Sequence, residues 1–73
     1  MIYEVISEIK NRCGNNQMRD VFFEELEIGD PDRWIRERES GAQEIRREDI
    51  PHGIRYHVNA SGLITVYDLT EAE

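Results

Sequence analysis

The chain is 73 residues long and carries a formal net charge of −7, with sixteen Asp and Glu against nine Lys and Arg. That length allows one domain, near the lower limit of what a core sustains without a metal or disulfides, and the acid excess disfavours direct binding to a phosphate backbone. Hydrophobic residues make up 38% and charged ones 34%, which leaves enough Ile, Val, Phe and Tyr to fold.

The single cysteine makes no internal disulfide, which fits a reducing cytoplasm. No apolar run approaches the ~18 residues that span a bilayer. Met1 leads straight into IYEVISEIK without a signal-like apolar core. The expectation is one domain over residues 1–73 in the cytoplasm, away from membranes, with residues 70–73 frayed.

IYEVISEIK, residues 2–10, has two readings. Ile2, Val5, Ile6, Ile9 and Cys13 follow helical spacing, with Gly14 as a stop. The β-branched residues, Tyr3 and the missing N-cap favour a strand, which is the reading adopted. Residues 11–17, NRCGNNQ, form a polar loop of turn formers. Residues 18–28, MRDVFFEELEI, read as a second strand, with a helix over residues 17–27 as the rival. Phe22, Leu26 and Ile28 fall on one side of that strand, and Val21 and Phe23 on the other. Glu24 spoils the alternation on the side of Phe22, which a bulge would repair.

Asp30 to Gly41 carries helix signals. Asp30 caps, Pro31 takes the first position, Asp32 suits the positive end of the dipole, and Gly41 offers a left-handed stop. Asp32 with Arg36 and Arg33 with Glu37 make surface pairs four apart. Trp34, Ile35 and the stem of Arg38 form the stripe to be buried. AQEIRRED, residues 42–49, suits a charged edge strand, and Ile50-Pro51-His52-Gly53 a turn.

Residues 54–69, IRYHVNASGLITVYDL, are a β-hairpin on which the rest of the fold depends. In one register Asn59 opens a type I turn, Gly62 sits in a bulge, Val58 faces Ile64 and Tyr56 faces Val66. In the other, Ser61-Gly62 is a two-residue turn, Tyr56 faces Tyr67, Ile54 faces Leu69 and Arg55 meets Asp68. The bulged turn is preferred, because Ser tolerates a positive φ poorly. One face then carries Ile54, Tyr56, Val58, Ile64 and Val66. These elements define an α+β fold, a small antiparallel sheet of about four to five strands in ββαβββ order with one short helix packed on one face.

The chemistry-bearing residues are few. Cys13, between Arg12 and Gly14, is the candidate nucleophile, since a neighbouring arginine favours the thiolate. A lone cysteine in a turn is more commonly a capped or half-buried thiol. His52 and His57 lie five apart across a glycine and, even with Cys13, lack the paired short spacing of a zinc site.

The acids Asp20, Glu24, Glu25, Glu27, Asp30 and Asp32 run without a base, yet they lack the EF-hand pattern. They fit a partner-binding edge or, more simply, a solvated strand and helix start. Cys13-Gly14-Asn15-Asn16 is no phosphate loop. Arg46-Arg47 is surrounded by acids, so nucleic-acid contact is not expected there. No metal and no cofactor is expected.

The sheet face away from the helix, where Val21, Phe23, Leu63, Tyr67 and Leu69 gather in the preferred register, is an apolar patch rimmed by charge. The expectation is a small non-catalytic protein that binds a protein partner or itself as a homodimer, and binds no nucleic acid directly. Val21, Phe23 and Tyr67 supply the contact, with Glu25 and Glu27 steering. The alternatives are an acidic nucleic-acid mimic that inhibits a basic DNA-binding protein and a small thiol enzyme built on Cys13.

Overall fold

The computed structural model describes residues 1–10 and 20–72. Strands β1 (Ile2–Lys10), β2 (Asp20–Glu27), β3 (Glu44–Ile50), β4 (Gly53–Ala60) and β5 (Leu63–Glu71) form one sheet in the order β2-β1-β5-β4-β3, and helix α1 (Pro31–Arg38) connects β2 to β3. Every neighbouring pair is antiparallel. The expected antiparallel sheet with one short helix is present, in a chain that is mainly β. The loop expected over residues 11–17, including Cys13, and the expected start of the second strand at residues 18–19 lie outside the described residues.

Residues 2–10 are a strand and not the rival helix. Tyr3, Val5 and Ser7 are buried and alternate with exposed Ile2, Glu4 and Ile6, the period of two that a sheet imposes. β1 is paired on both sides, which suits its β-branched composition. The core is formed by Tyr3, Val5, Ile28, Ile35, Tyr56, Val58, Tyr67 and Leu69, so the helix supplies one fully buried anchor, Ile35, against the sheet. Burying a side chain of that size is worth about 1.5–3 kcal/mol. An eight-residue helix depends on such contact, because its few internal hydrogen bonds do not offset the cost of nucleation.

The helix begins as its sequence demands. The Asp30 side chain accepts a hydrogen bond from the Arg33 backbone N–H at 3.3 Å, and Pro31 follows in the first turn. Its end differs from expectation. The C-cap is Glu39, whose N–H donates to the Ile35 carbonyl at 2.9 Å, and Gly41 is not in the left-handed region. The helix has already stopped by then, because Glu39 is held at the sheet by the Tyr67 hydroxyl.

The hairpin register also differs from the preferred one. Ala60 pairs with Leu63, Tyr56 with Tyr67, Ile54 with Leu69 and Arg55 with Asp68. Ser61 and Gly62 take φ of 53° and 83°, the positive values that a type I′ turn requires at both central positions. The small cost of a left-handed serine is outweighed, because this register turns Tyr67 and Leu69 into the core. Ile64 and Val66, expected in the core, lie on the opposite face, since a shift of one residue exchanges the two sets. The Gln43 side chain accepts the Ser61 N–H at 3.1 Å and steadies the turn.

Two further expectations are corrected. β2 runs without a bulge, and Glu24 stays in register on the helix side, where Arg38 of the helix bonds it at 2.8 Å. The C-terminal residues do not fray from residue 70. Glu71 donates its N–H to His52 and Ala72 to Ile2, each at 2.9 Å.

Candidate functional site: the open face of the sheet

The strand pairings divide the side chains into two faces. On the helix side, Tyr56 donates its hydroxyl to Asp32 at 2.6 Å, and Arg47 reaches the other oxygen of the same carboxylate at 2.8 Å. The Tyr56 bond, assisted by Arg47, holds Asp32 below its ordinary pKa, although partial burial opposes this. Burial and the Asp32 carboxylate push Tyr56 upward. At the other end of the helix, burial and the bond to Glu39 push Tyr67 up to about 12. Arg38 lies over the rings of Trp34 and Tyr67, at 5.2 and 5.8 Å, and those two rings meet edge to face at 6.0 Å. The helix occupies this face over β4 and β5, while Phe22 at its β2 end stays exposed.

Among the described residues no element covers the other face in this way. Phe23, Ile6, Asp68, Arg55 and Glu48 stand side by side across the five strands. Two residues along, the row reads Val21, Glu8, Val66, His57 and Arg46. Each row begins apolar on β2 and ends charged on β3.

On β5, β4 and β3 the charges satisfy one another. Arg55 bonds Asp68 at 2.6 Å and approaches Glu48 at 3.8 Å, while His57 meets Glu48 at 3.0 Å. The hydrogen bond to His57, with Arg55 nearby, lowers the Glu48 pKa. A depression of about 540 Å³ lies beside this network, lined by Glu44, Arg46, Glu48, His57, Asn59 and Ile64 among others. Its ionic groups are engaged with each other.

On β2 and β1 the apolar residues are open to solvent. Phe23 is 63% exposed, Val21 58% and Ile6 39%. The expected contact residues Val21, Phe23, Glu25 and Glu27 share this face. Tyr67 does not, because the two-residue turn points it to the helix, where it is 5% exposed. Leu69 is likewise withdrawn into the core.

Ile6 and Glu4 belong to the open face but were not among the expected contacts. Their signal was present in IYEVISEIK, where a strand reading puts Ile2, Glu4 and Ile6 opposite Tyr3 and Val5. β2 is also an edge strand with three consecutive exposed apolar residues, Val21, Phe22 and Phe23. The other edge, β3, carries Glu44, Arg46, Arg47, Glu48 and Asp49, the charged pattern that discourages pairing.

The run of acids from Asp20 to Asp32 is dispersed by the fold. Glu24 and Asp32 bind arginines on the helix side, Asp30 caps the helix, and Glu25 and Glu27 lie on the open face. Among the described residues no group of three or more His, Cys, Asp or Glu is placed to hold a metal ion. No described helix is long and apolar enough to cross a membrane. His52 sits in the β3–β4 turn at φ 63° and His57 on β4. No protein-family model, no curated protein and no solved structure matches the chain.

Proposed function

We propose that the chain is a non-catalytic protein-binding module, working in a reducing compartment such as the cytoplasm, and that it contacts its partner through the open face at β1 and β2. The observation that carries this reading is the exposure of Phe23, Val21 and Ile6 on adjacent strands, on the side that the helix leaves uncovered. Contiguous exposed apolar surface rimmed by charge is the usual mark of a contact site. Phe23 and Val21 supply area to bury, and Glu25 and Glu27 steer the approach. The apolar centre of the patch favours a protein partner over the nucleic-acid-mimic role, which would rest on acids alone. The thiol-enzyme reading rests on Cys13, outside the described residues.

The test is a photo-crosslinking residue placed at position 23 or, as a control, at position 33 on the exposed side of the helix, in cells that produce the protein. A discrete protein adduct from position 23, absent from position 33 and lost when Val21 and Ile6 are both replaced by Thr, is the expected result. No adduct from position 23, or the same adducts from both positions, overturns the reading.

A further inference from the structure

Glu4 and Glu25 stand directly opposite each other on β1 and β2, exposed on the open face. Like charges in that position destabilise an antiparallel pair. On the β5 and β3 strands of the same face the acids have bases beside them, as in Asp68 with Arg55 at 2.6 Å and Glu44 with Arg46 at 3.9 Å. Neither Glu4 nor Glu25 has an ion pair among the described residues. The neighbouring row, two residues along each strand, is Ile6 with Phe23. An acid pair with no base beside it among the described residues therefore lies roughly 7 Å from an exposed apolar pair.

We infer that this half of the face receives a basic amphipathic segment of a partner protein, with an apolar side chain seated on Phe23 and Ile6 and a Lys or Arg placed between Glu4 and Glu25. The inference rests on the reading of this face as a protein contact and names the chemistry of what covers it. A helix sets apolar and basic residues about 5–6 Å apart at i, i+3 and i, i+4, and a strand sets them roughly 7 Å apart at i, i+2. Either spacing bridges the two rows. A second copy of the chain is the wrong occupant, since it brings a net charge of −7 and the same acid pair. Lys10, at the end of β1, is the only base on this half among the described residues.

The arrangement has a signature that a purely structural role lacks. Removing one charge of the pair relieves repulsion in the free protein while weakening the complex, so stability and affinity move in opposite directions.

The test uses the purified full chain and three labelled peptides read by fluorescence anisotropy. One is an amphipathic helix of Leu and Lys, the second has Glu in place of Lys, and the third keeps Lys but replaces Leu with Ser. Only the first is expected to bind, more weakly as salt is raised. The double variant Glu4→Gln with Glu25→Gln is expected to bind it roughly three- to tenfold more weakly, with a thermal midpoint equal to or above that of the wild type. Glu37→Gln with Glu44→Gln, which removes the same net charge elsewhere, is expected to leave affinity unchanged.

Equal weakening by both double variants would assign the attraction to overall charge and overturn the inference. So would equal binding of the Glu peptide, failure of the Lys and Leu peptide to bind, or a wild-type dimer that Phe23→Thr dissociates. An adduct from position 23 alongside any of these results leaves the face a protein contact and removes only the basic partner.

Discussion

Tyr56 and Tyr67 are direct cross-strand neighbours on β4 and β5, and together they hold the helix by its two ends. Tyr56 donates to Asp32 in the first turn, and Tyr67 donates to Glu39 at the C-cap. The pair sits where the helix crosses the sheet, so the hydroxyls fix its direction while Ile35 fixes its depth. Because the helix packs on one face in this way, Phe23, Val21 and Ile6 on the other stay exposed.

Removing either hydroxyl tests this arrangement. Tyr56→Phe and Tyr67→Phe each keep the ring and lose one bond to a carboxylate. Each is expected to cost about 1–2 kcal/mol, the lower part of the range for hydrogen bonds to charged groups because both carboxylates keep some contact with water. For a domain of this size that lowers the thermal midpoint by roughly 6–13 °C. Trp34 is the only tryptophan and packs on Tyr67, so its fluorescence reports the transition. An unchanged midpoint in both variants would show that the hydroxyls do not anchor the helix.

The same contacts set the pH limits of the fold. Asp32 has its pKa lowered from 3.8 in the native state, so its contribution is fully present above that value and is lost as pH falls through the lowered native one. Tyr67 works in the opposite sense. Its native pKa is raised from 10.0 to about 12, so its contribution is fully present below pH 10 and is lost as pH rises toward 12. Urea midpoints followed across pH are expected to fall at both ends. Tyr56→Phe should make the acid limb shallower, since it removes the larger cause of the Asp32 shift, and Tyr67→Phe should do the same for the alkaline limb.

The hairpin turn offers a third test and shows which parts of the fold were legible in the sequence. The helix start was readable at Asp30 and Pro31 because capping chemistry is local. The hairpin was readable, but its register was not. Ile64 with Val66 and Tyr67 with Leu69 offer two acceptable apolar faces, and the choice between them falls to distant partners, Glu39 for Tyr67 and the helix for Leu69. The misplacement of Tyr67 on the contact face follows from that single ambiguity. Glu24 looked like a break in alternation for the same reason, since the arginine that satisfies it lies fourteen residues away. What survived the register error was the placement of Val21 and Phe23 on a face apart from Phe22 and Leu26, which depends only on strand parity.

Because the turn has φ above zero at both Ser61 and Gly62, Ser61→Asn is expected to raise stability by about 0.5 kcal/mol, and Gly62→Ala to lower it by about 1–2 kcal/mol. Gly62→Ala is costly in either turn, so Ser61→Asn decides between them: a variant less stable than the wild type in thermal melts would return the hairpin to the bulged turn, which needs no positive φ at position 61.

A final contrast separates what holds the protein together from what it presents. Ile35 is 1% exposed in the core and Phe23 is 63% exposed on the open face. If the two faces are divided between folding and contact, truncation at these positions must have opposite consequences. Ile35→Ala is expected to cost about 2–5 kcal/mol, because the helix loses its one fully buried anchor. Phe23→Thr keeps a strand-forming residue at a position with little to lose, and is expected to change stability by no more than about 0.5 kcal/mol. The same variant should abolish binding of the Lys and Leu peptide. Denaturant unfolding of the two variants, read beside that titration, decides the matter. A Phe23→Thr protein destabilised as much as Ile35→Ala would make the open face a second core, covered within the chain itself, and would remove the basis for any partner there.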